Sequence, residues 1–437
     1  ADITLLKILS LLLIYISLWA QFNVNSFLND AFWLEESSKQ EHFGIEATAL
    51  AANNEGTMTY AQLSPKFYVP FNKSVSIYFK HNLVKNNAFY SPLDEAKRFY
   101  QYKEFSGINS YTEEGYLHLN YSFLQAKIGR FYDQLGTAPY DNLFIGSQDY
   151  HDGYKFTFFY KKLEFSTRFY QLSNYWKLHQ YNRYFYQHSL KWNVNKRFSL
   201  EFIEMATTAS KNGAPKFHYI NPLTSYYAIQ TNHNINSNTI LGFVAQYSDK
   251  QTAFWLEFLL DDFQIDETNK QGVKEKEPTE FGLQVGAKYA FQNSFLLSSL
   301  SVVRNRTYND EVELEDNTSF TKYIDHDKTI GHSLGNNFVH GILQYVNSFS
   351  NSFKYSAVIE YGVFGDENVF SRFNTDFYNR ETNEETIPYG KIRHTLALEN
   401  RLYYLSSYGR FYASLTYAQE PKQAISFWLG YSTEVTF

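Results

Sequence analysis

Residues 424–437 read AISFWLGYSTEVTF. In an extended chain successive side chains point to opposite faces, so Phe427, Leu429, Tyr431, Val435 and Phe437 fall on one side, with Thr433 among them. Gly430, Ser432, Glu434 and Thr436 fall on the other. One face suits lipid and the other water. The same period-two rhythm recurs from about Gly44 onward, in KFTFFYKK with LEFSTRFYQ, FGLQVGAKYAF with FLLSSLSVV, and KYSAVIEYGVF with KIRHTLALENRLYYL. Each segment runs for roughly ten residues, the length a tilted strand needs to cross a bilayer.

Composition points the same way. Aromatic residues make up 19% of the 437-residue chain, with 38 Tyr and 40 Phe, more than a soluble core of this size requires. The mean hydropathy of -0.44, with no long apolar run after residue 20, excludes membrane-spanning helices. Barrel strands escape that test, because lipid-facing apolar residues alternate with lumen-facing polar ones. There is no cysteine, so disulfides and thiolate metal sites are excluded. A net charge of -6 gives no basic face for nucleic acid.

Between the alternating segments, gaps alternate short and long. Short joints fall at 161–162, 193–196, 249–251, 292–293, 349–351 and 406–409, and long ones at roughly 84–112, 133–152, 207–237, 262–279, 305–335 and 363–390. Short periplasmic turns and long extracellular loops are the asymmetry expected of an outer-membrane barrel. Counting back from the last segment gives an all-β fold, a transmembrane antiparallel barrel of about eighteen strands with both ends periplasmic. The domain reading is a signal peptide over 1–20, a short periplasmic segment over 21–43 and the barrel over 44–437. The signal reading rests on Lys7, the apolar stretch from Ile8 and Ala20 before Gln21.

Opposite the apolar rows lie Glu164, Arg168, Lys191, Glu201, Glu257, Lys288, Glu360, Glu399 and Arg401. A charge facing mid-bilayer costs about 2 to 4 kcal/mol, so these residues line a wet or ion-paired lumen. Of them, Arg168, Lys191, Glu257, Lys288 and Glu360 would tune selectivity if the lumen conducts. The ending on Phe437, with apolar residues at alternate positions before it, resembles the C-terminal signature by which outer-membrane barrels are recognised for insertion. Barrel assembly machinery and outer-membrane lipid are therefore expected partners.

Three stretches carry a more specific resemblance: AKIGRFYDQLGTAPYDNLFIGSQ at 126–148, YINPLTSYYAIQTNHNINSN at 219–238 and FWLEFLLDDF at 254–263. In this order and spacing they resemble the Wzi-type capsule assembly proteins of the outer membrane. The resemblance implies an eighteen-stranded barrel that acts as a lectin and organises capsular polysaccharide at the cell surface. The best-known members carry an N-terminal helical bundle. Residues 21–43 suffice for a short helix only, so a periplasmic role tied to that bundle is not carried over.

A glycan site needs hydroxyl-directed donors and acceptors beside aromatic faces. The 207–237 loop and its edge offer Asn221, Asn232, Asn234, Asn236 and Asn238 with Tyr219, Tyr226 and Tyr227. Asn and Pro also build turns, which accounts for many of these residues without a ligand. Asn142 in the first stretch, and Arg130 and Asp261 at strand tops, complete the candidate polysaccharide set; a structural ion pair is the competing role for the last two. Asp261, Asp262 and Asp266 lack the spacing of a calcium loop, and no metal or cofactor is expected. His233 and Ser237 lie about 13 Å apart if extended, beyond hydrogen-bond reach, and His188, His218 and His394 are scattered. No catalytic residue is assigned. The expected function is a non-enzymatic surface protein binding capsular or extracellular polysaccharide, and the alternative is a porin or exporter for small solutes or oligosaccharides.

Overall fold

The computed structural model describes residues 43–53, 57–86, 108–146, 150–173, 181–211, 213–221, 223–233, 235, 237–262, 278–310, 321–325, 328–371, 385–419 and 424–436. Residues 1–20, read above as a signal peptide, nearly all of the 21–43 segment, and Phe437 lie outside the described residues.

Eighteen antiparallel strands form one closed barrel. In chain order they are β1 (Phe43–Asn53), β2 (Thr57–Asn72), β3 (Val75–Asn86), β4 (Ile108–Tyr121), β5 (Leu124–Tyr132), β6 (Tyr150–Tyr160), β7 (Leu163–Leu172), β8 (Tyr181–Asn193), β9 (Phe198–Lys211), β10 (Ser237–Ser248), β11 (Thr252–Asp262), β12 (Glu280–Phe291), β13 (Ser294–Val303), β16 (Phe338–Ser348), β17 (Phe353–Phe364), β18 (Arg393–Ser406), β19 (Gly409–Gln419) and β20 (Ala424–Thr436). A two-residue hairpin, β14 (Ile324–Asp325) with β15 (Lys328–Thr329), belongs to a loop. Two short helices, α1 (Phe217–Ile220) and α2 (Tyr226–His233), interrupt the β9–β10 connection.

Each barrel strand pairs with its sequence neighbours, β13 passing over the hairpin to β16. β1 closes the ring against β20, in register from Gly44↔Thr436 to Asn53↔Phe427. Closure leaves no open sheet edge, the condition for a sheet to cross a bilayer.

The alternation read from the sequence appears as exposure. On β11 the Phe254 and Phe258 rings are exposed while Trp255, Glu257 and Leu259 are buried. On β13 Leu296 and Leu300 face out while Leu297, Ser299 and Ser301 face in. Strand propensity and burial agree here, since branched and aromatic side chains form the outer wall and small polar ones the inner. Connections at one end of the barrel are short, as at 161–162, 194–197 and 292–293, and those at the other are long, as at 212–236 and 304–337.

Candidate functional site

Among the described residues, two of the long loops turn inward, 133–146 and part of 304–337. Residues 133–146 double back on themselves through an antiparallel bridge, Leu135 N to Ile145 O at 3.0 Å and Ile145 N to Leu135 O at 3.2 Å. This carries the apolar run Leu143–Phe144–Ile145, all wholly buried, into the barrel. There it packs with Phe185, Met205, Ile240 and Leu259 of the inner wall and with Tyr308, Tyr323 and Ile330 of the 304–337 loop. The cluster reaches wall residues from β4 to β17. An apolar core thus lies where an open channel would be lined with polar side chains, and it forms a plug.

Buried polar groups fasten the plug to the wall. The Glu257 carboxylate, wholly buried on β11, accepts the backbone N–H groups of Thr137 at 2.5 Å, Ala138 at 3.1 Å and Leu143 at 2.9 Å. Three converging amide donors take the place of water on the carboxyl oxygens and offset part of the cost of their burial. Arg183 of β8 reaches in from another side, its Nη2 donating to Lys322 O at 2.7 Å and Ile324 O at 2.9 Å. Asp325 accepts Ser173 N–H at 2.7 Å and lies 3.2 Å from His151 Nδ1. Asp141 joins the two loops by accepting Asn142 N–H at 3.0 Å and Ser333 N–H at 2.6 Å. Burial pushes the His332 imidazole down to about 4, although Asp141 lies 3.4 Å away, so at neutral pH this contact is not an ion pair.

Elsewhere the lumen charges satisfy one another. Asp133 accepts from Arg168 Nε and Lys155 Nζ, each at 2.6 Å, and from the Tyr170 hydroxyl at 2.5 Å. Lys80 bridges Glu113 at 2.9 Å and Glu46 at 3.5 Å. Of the five charges expected to tune conduction, Glu257 anchors the plug and Arg168 also donates to Gln187 at 2.6 Å. Lys288 Nζ lies over the Phe295 ring, 4.2 Å from its centre. Glu360 faces His340 at 3.4 Å, and Lys191 pairs in register with Glu201.

The residues named as a polysaccharide set separate into three places. Asn142, Asn238 and Asp261 are framework of the plug. The Asn142 side chain accepts Ala138 N–H at 3.0 Å, Asn238 donates to Asn309 O at 2.7 Å, and Asp261 accepts Tyr308 N–H at 2.5 Å. Arg130 sits in β5 opposite Asp152 of β6 and donates to its carboxylate at 2.6 Å, an ion pair at the strand tops. Asn236 lies outside the described residues, as do Asn234 and Asp266.

Tyr219, Asn221, Tyr226 and Tyr227 belong to a flap formed by α1 and α2, which lies on the outer wall of β8 and β9. Tyr219 and Tyr226 are buried there with Tyr184, Tyr186, Ala206 and Ile229, so their rings are flap core and present no face to a sugar. Asn221 and Tyr227 are exposed. Glu204 of β9 holds the flap down, accepting from Ser225 Oγ at 2.8 Å and Tyr227 N at 2.9 Å while His188 Nε2 approaches at 3.0 Å. Ser237 Oγ is bonded to the Tyr219 hydroxyl at 2.8 Å, and His233 stacks on His218 with ring centres 4.3 Å apart, so the tempting His–Ser pair does not meet. Among the described residues no three His, Asp or Glu side chains cluster as metal ligands.

The plug was not anticipated from the sequence. Its signal was present in the hydrophobic run LFI inside a loop otherwise rich in Gly, Asp and Asn, which an exposed loop would have no reason to carry.

No family model matches the chain, and no curated protein does. Solved structures match over nearly its whole length. Wzi, an outer membrane protein involved in group 1 capsule assembly in Escherichia coli and a carbohydrate-binding β-barrel, superposes with a TM-score of 0.60 at 10% identity, covering 97% of this chain and 90% of its own. OccK8 (OprE) of Pseudomonas aeruginosa gives 0.53 at 10% identity, covering 91% of this chain and 98% of its own. OprD of the same organism gives 0.52 at 9% identity over 91% and 96%. At such identities the likeness is one of fold: this chain has the architecture of eighteen-stranded outer-membrane barrels.

Proposed function

We propose that this protein sits in the outer membrane of a Gram-negative cell, long loops outward, and binds or organises capsular or extracellular polysaccharide at the surface without catalysing a reaction. The observation that carries this reading is the plug. Loops tied to the inner wall by Glu257 and Arg183 pack apolar side chains inside the barrel against the wall from β4 to β17. A solute channel needs a continuous polar path, which such a core opposes. The lumen charges support the same reading, because groups such as Asp133, Arg168 and Lys155 are consumed by each other. Wzi, with the higher TM-score, is a carbohydrate-binding barrel, whereas the competing reading as a porin or exporter draws on the likeness to OprD and OccK8. Lipid and the barrel assembly machinery are the remaining partners of this account.

Of the nine residues in the sequence-derived set, Asn221 and Tyr227 have exposed side chains on the flap, one able to hydrogen-bond hydroxyls and the other to stack on a sugar ring. Replacing both by Ala should shift polysaccharide from the cell surface into the medium while heat-modifiable barrel stays at the parental level. Surface polysaccharide retained at the parental level in that double variant would remove these two residues from the site. Purified parent protein that fails to co-sediment with the polysaccharide of its own cell would remove the function.

A further inference from the structure

The flap raises a question that polysaccharide binding does not answer. His188 and Glu204 are register partners whose side chains lie on the lipid-facing rows, between exposed Leu190 and Phe202 below and the Tyr184–Tyr186 cluster above. They stand five pairs above Asn193↔Ser199, next to the short turn. At the tilt of barrel strands that is a height of about 12 Å, inside an apolar band about 25 Å tall. The flap therefore covers an acid and an imidazole that would otherwise face acyl chains, and its own outer surface takes over as the wall at that height.

That surface has a distinct chemistry. Phe217 is 80% exposed and Leu223 86%, more than Phe202 at 62% on the bare wall beneath. On the wall itself Leu190, Trp192, Phe202 and Leu241 are exposed apolar side chains as well. Charge has one sign. The sequence from 205 to 248 contains no Asp or Glu, in a chain of net charge -6, while Lys216 lies on the flap. Exposed apolar side chains beside a lysine, next to a lipid-facing wall, match an anionic amphiphile, with acyl chains against the former and phosphate against the latter.

We propose that the α1–α2 flap is a docking surface for phosphorylated lipid of the outer leaflet, Phe217 and Leu223 entering the acyl region and Lys216 meeting the phosphate. The inference uses neither Asn221 nor Tyr227, but both lie on the same flap, so lipid docking and their sugar contact exclude one another there. Polysaccharide binding elsewhere on the barrel is untouched, and the Asn221–Tyr227 double variant separates the two outcomes. Lipid docking fixes the flap at the membrane boundary.

The test exploits the absence of cysteine in the chain, which makes Leu223→Cys or Phe217→Cys a unique labelling site. Nitroxide-labelled full-length protein is reconstituted in vesicles of phosphatidylcholine alone or phosphatidylcholine mixed with lipid A. Both labels should be relaxed by oxygen and shielded from a water-soluble nickel chelate. Lipid A retained through detergent purification should fall about fivefold in Lys216→Gln, the factor one cation near an anionic surface is worth. Excess inorganic phosphate should leave that retention unchanged, since a lipid and not free phosphate is the ligand. Labels open to the nickel chelate overturn the proposal. So does unchanged lipid A retention in Lys216→Gln, or displacement of lipid A by phosphate. Heat-modifiability of each variant reports barrel assembly separately, and two label positions guard against one disturbing the flap.

Discussion

Phe144 rests on Gly242. A Cβ at position 242 would come within 2.2 Å of the Phe144 ring, a distance no side chain tolerates. The wall of β10 is thus hollowed at the point where the plug enters, so wall and plug are shaped for one another.

Gly242→Ala should displace Phe144 and loosen the plug by about 1 to 3 kcal/mol, the usual penalty for overpacking. The barrel itself should still assemble. Chymotrypsin cleavage at Tyr140 or Phe144 in the purified variant, with the parent resistant, is the expected readout; equal resistance of the two would show that the contact carries no weight.

Glu257→Ala leaves two N–H groups without an acceptor, those of Thr137 and Leu143, while Ala138 N–H keeps the Asn142 side chain. An unsatisfied buried donor costs about 1 to 3 kcal/mol, so the plug should detach more completely than in Gly242→Ala. Glu257→Gln keeps one carbonyl acceptor and should fall between the two. Conductance in planar bilayers should rank Ala above Gln above parent. A parent and an Ala variant with the same trace would deny Glu257 its anchoring role.

The plug should weaken in acid. With the His332 pKa near 4 in the folded state against 6.5 when unfolded, the unfolded form binds more protons between those values. The contribution of His332 is therefore full above about pH 6.5 and lost as pH falls toward 4, amounting to about 3 kcal/mol. Protease sensitivity of the 133–146 loop should rise across that window, and less so in His332→Asn. An increase of the same size in both proteins would place the titrating group elsewhere.

The proposed orientation, long loops outward, is open to a direct test. A tag inserted at Asn368, in a long connection, should be reachable by antibody on intact cells, and one at Asn293, in a short turn, should not. Labelling at 293 on sealed cells would invert the topology on which the surface role depends.

The barrel was legible because period two is a local property. Leu296, Leu297 and Leu300 can be assigned to faces by counting, and pairing each strand with its neighbour closes the ring without long-range information. The site was much less so. Arg130 was read as an ion pair or a ligand contact, and only the register with Asp152 decides for the pair. Tyr219 and Tyr226 look like sugar-stacking faces in a list of residues, yet they are buried because the loop folds back on β8 and β9, where Tyr184 and Tyr186 wait on the outer row. Glu257 is inward by parity, but its partners lie 114 to 120 residues away in sequence. No periodicity records that separation.

The central claim is that the plug closes this barrel and leaves it a binding protein. Single-channel recording of the full-length parent in planar bilayers tests it most directly, with Glu257→Ala as the control that a pore can be seen when the plug is released. The account predicts no stable open level for the parent and discrete openings for Glu257→Ala. Stable open conductance in the parent, unchanged by Glu257→Ala, would contradict it and make the protein a channel.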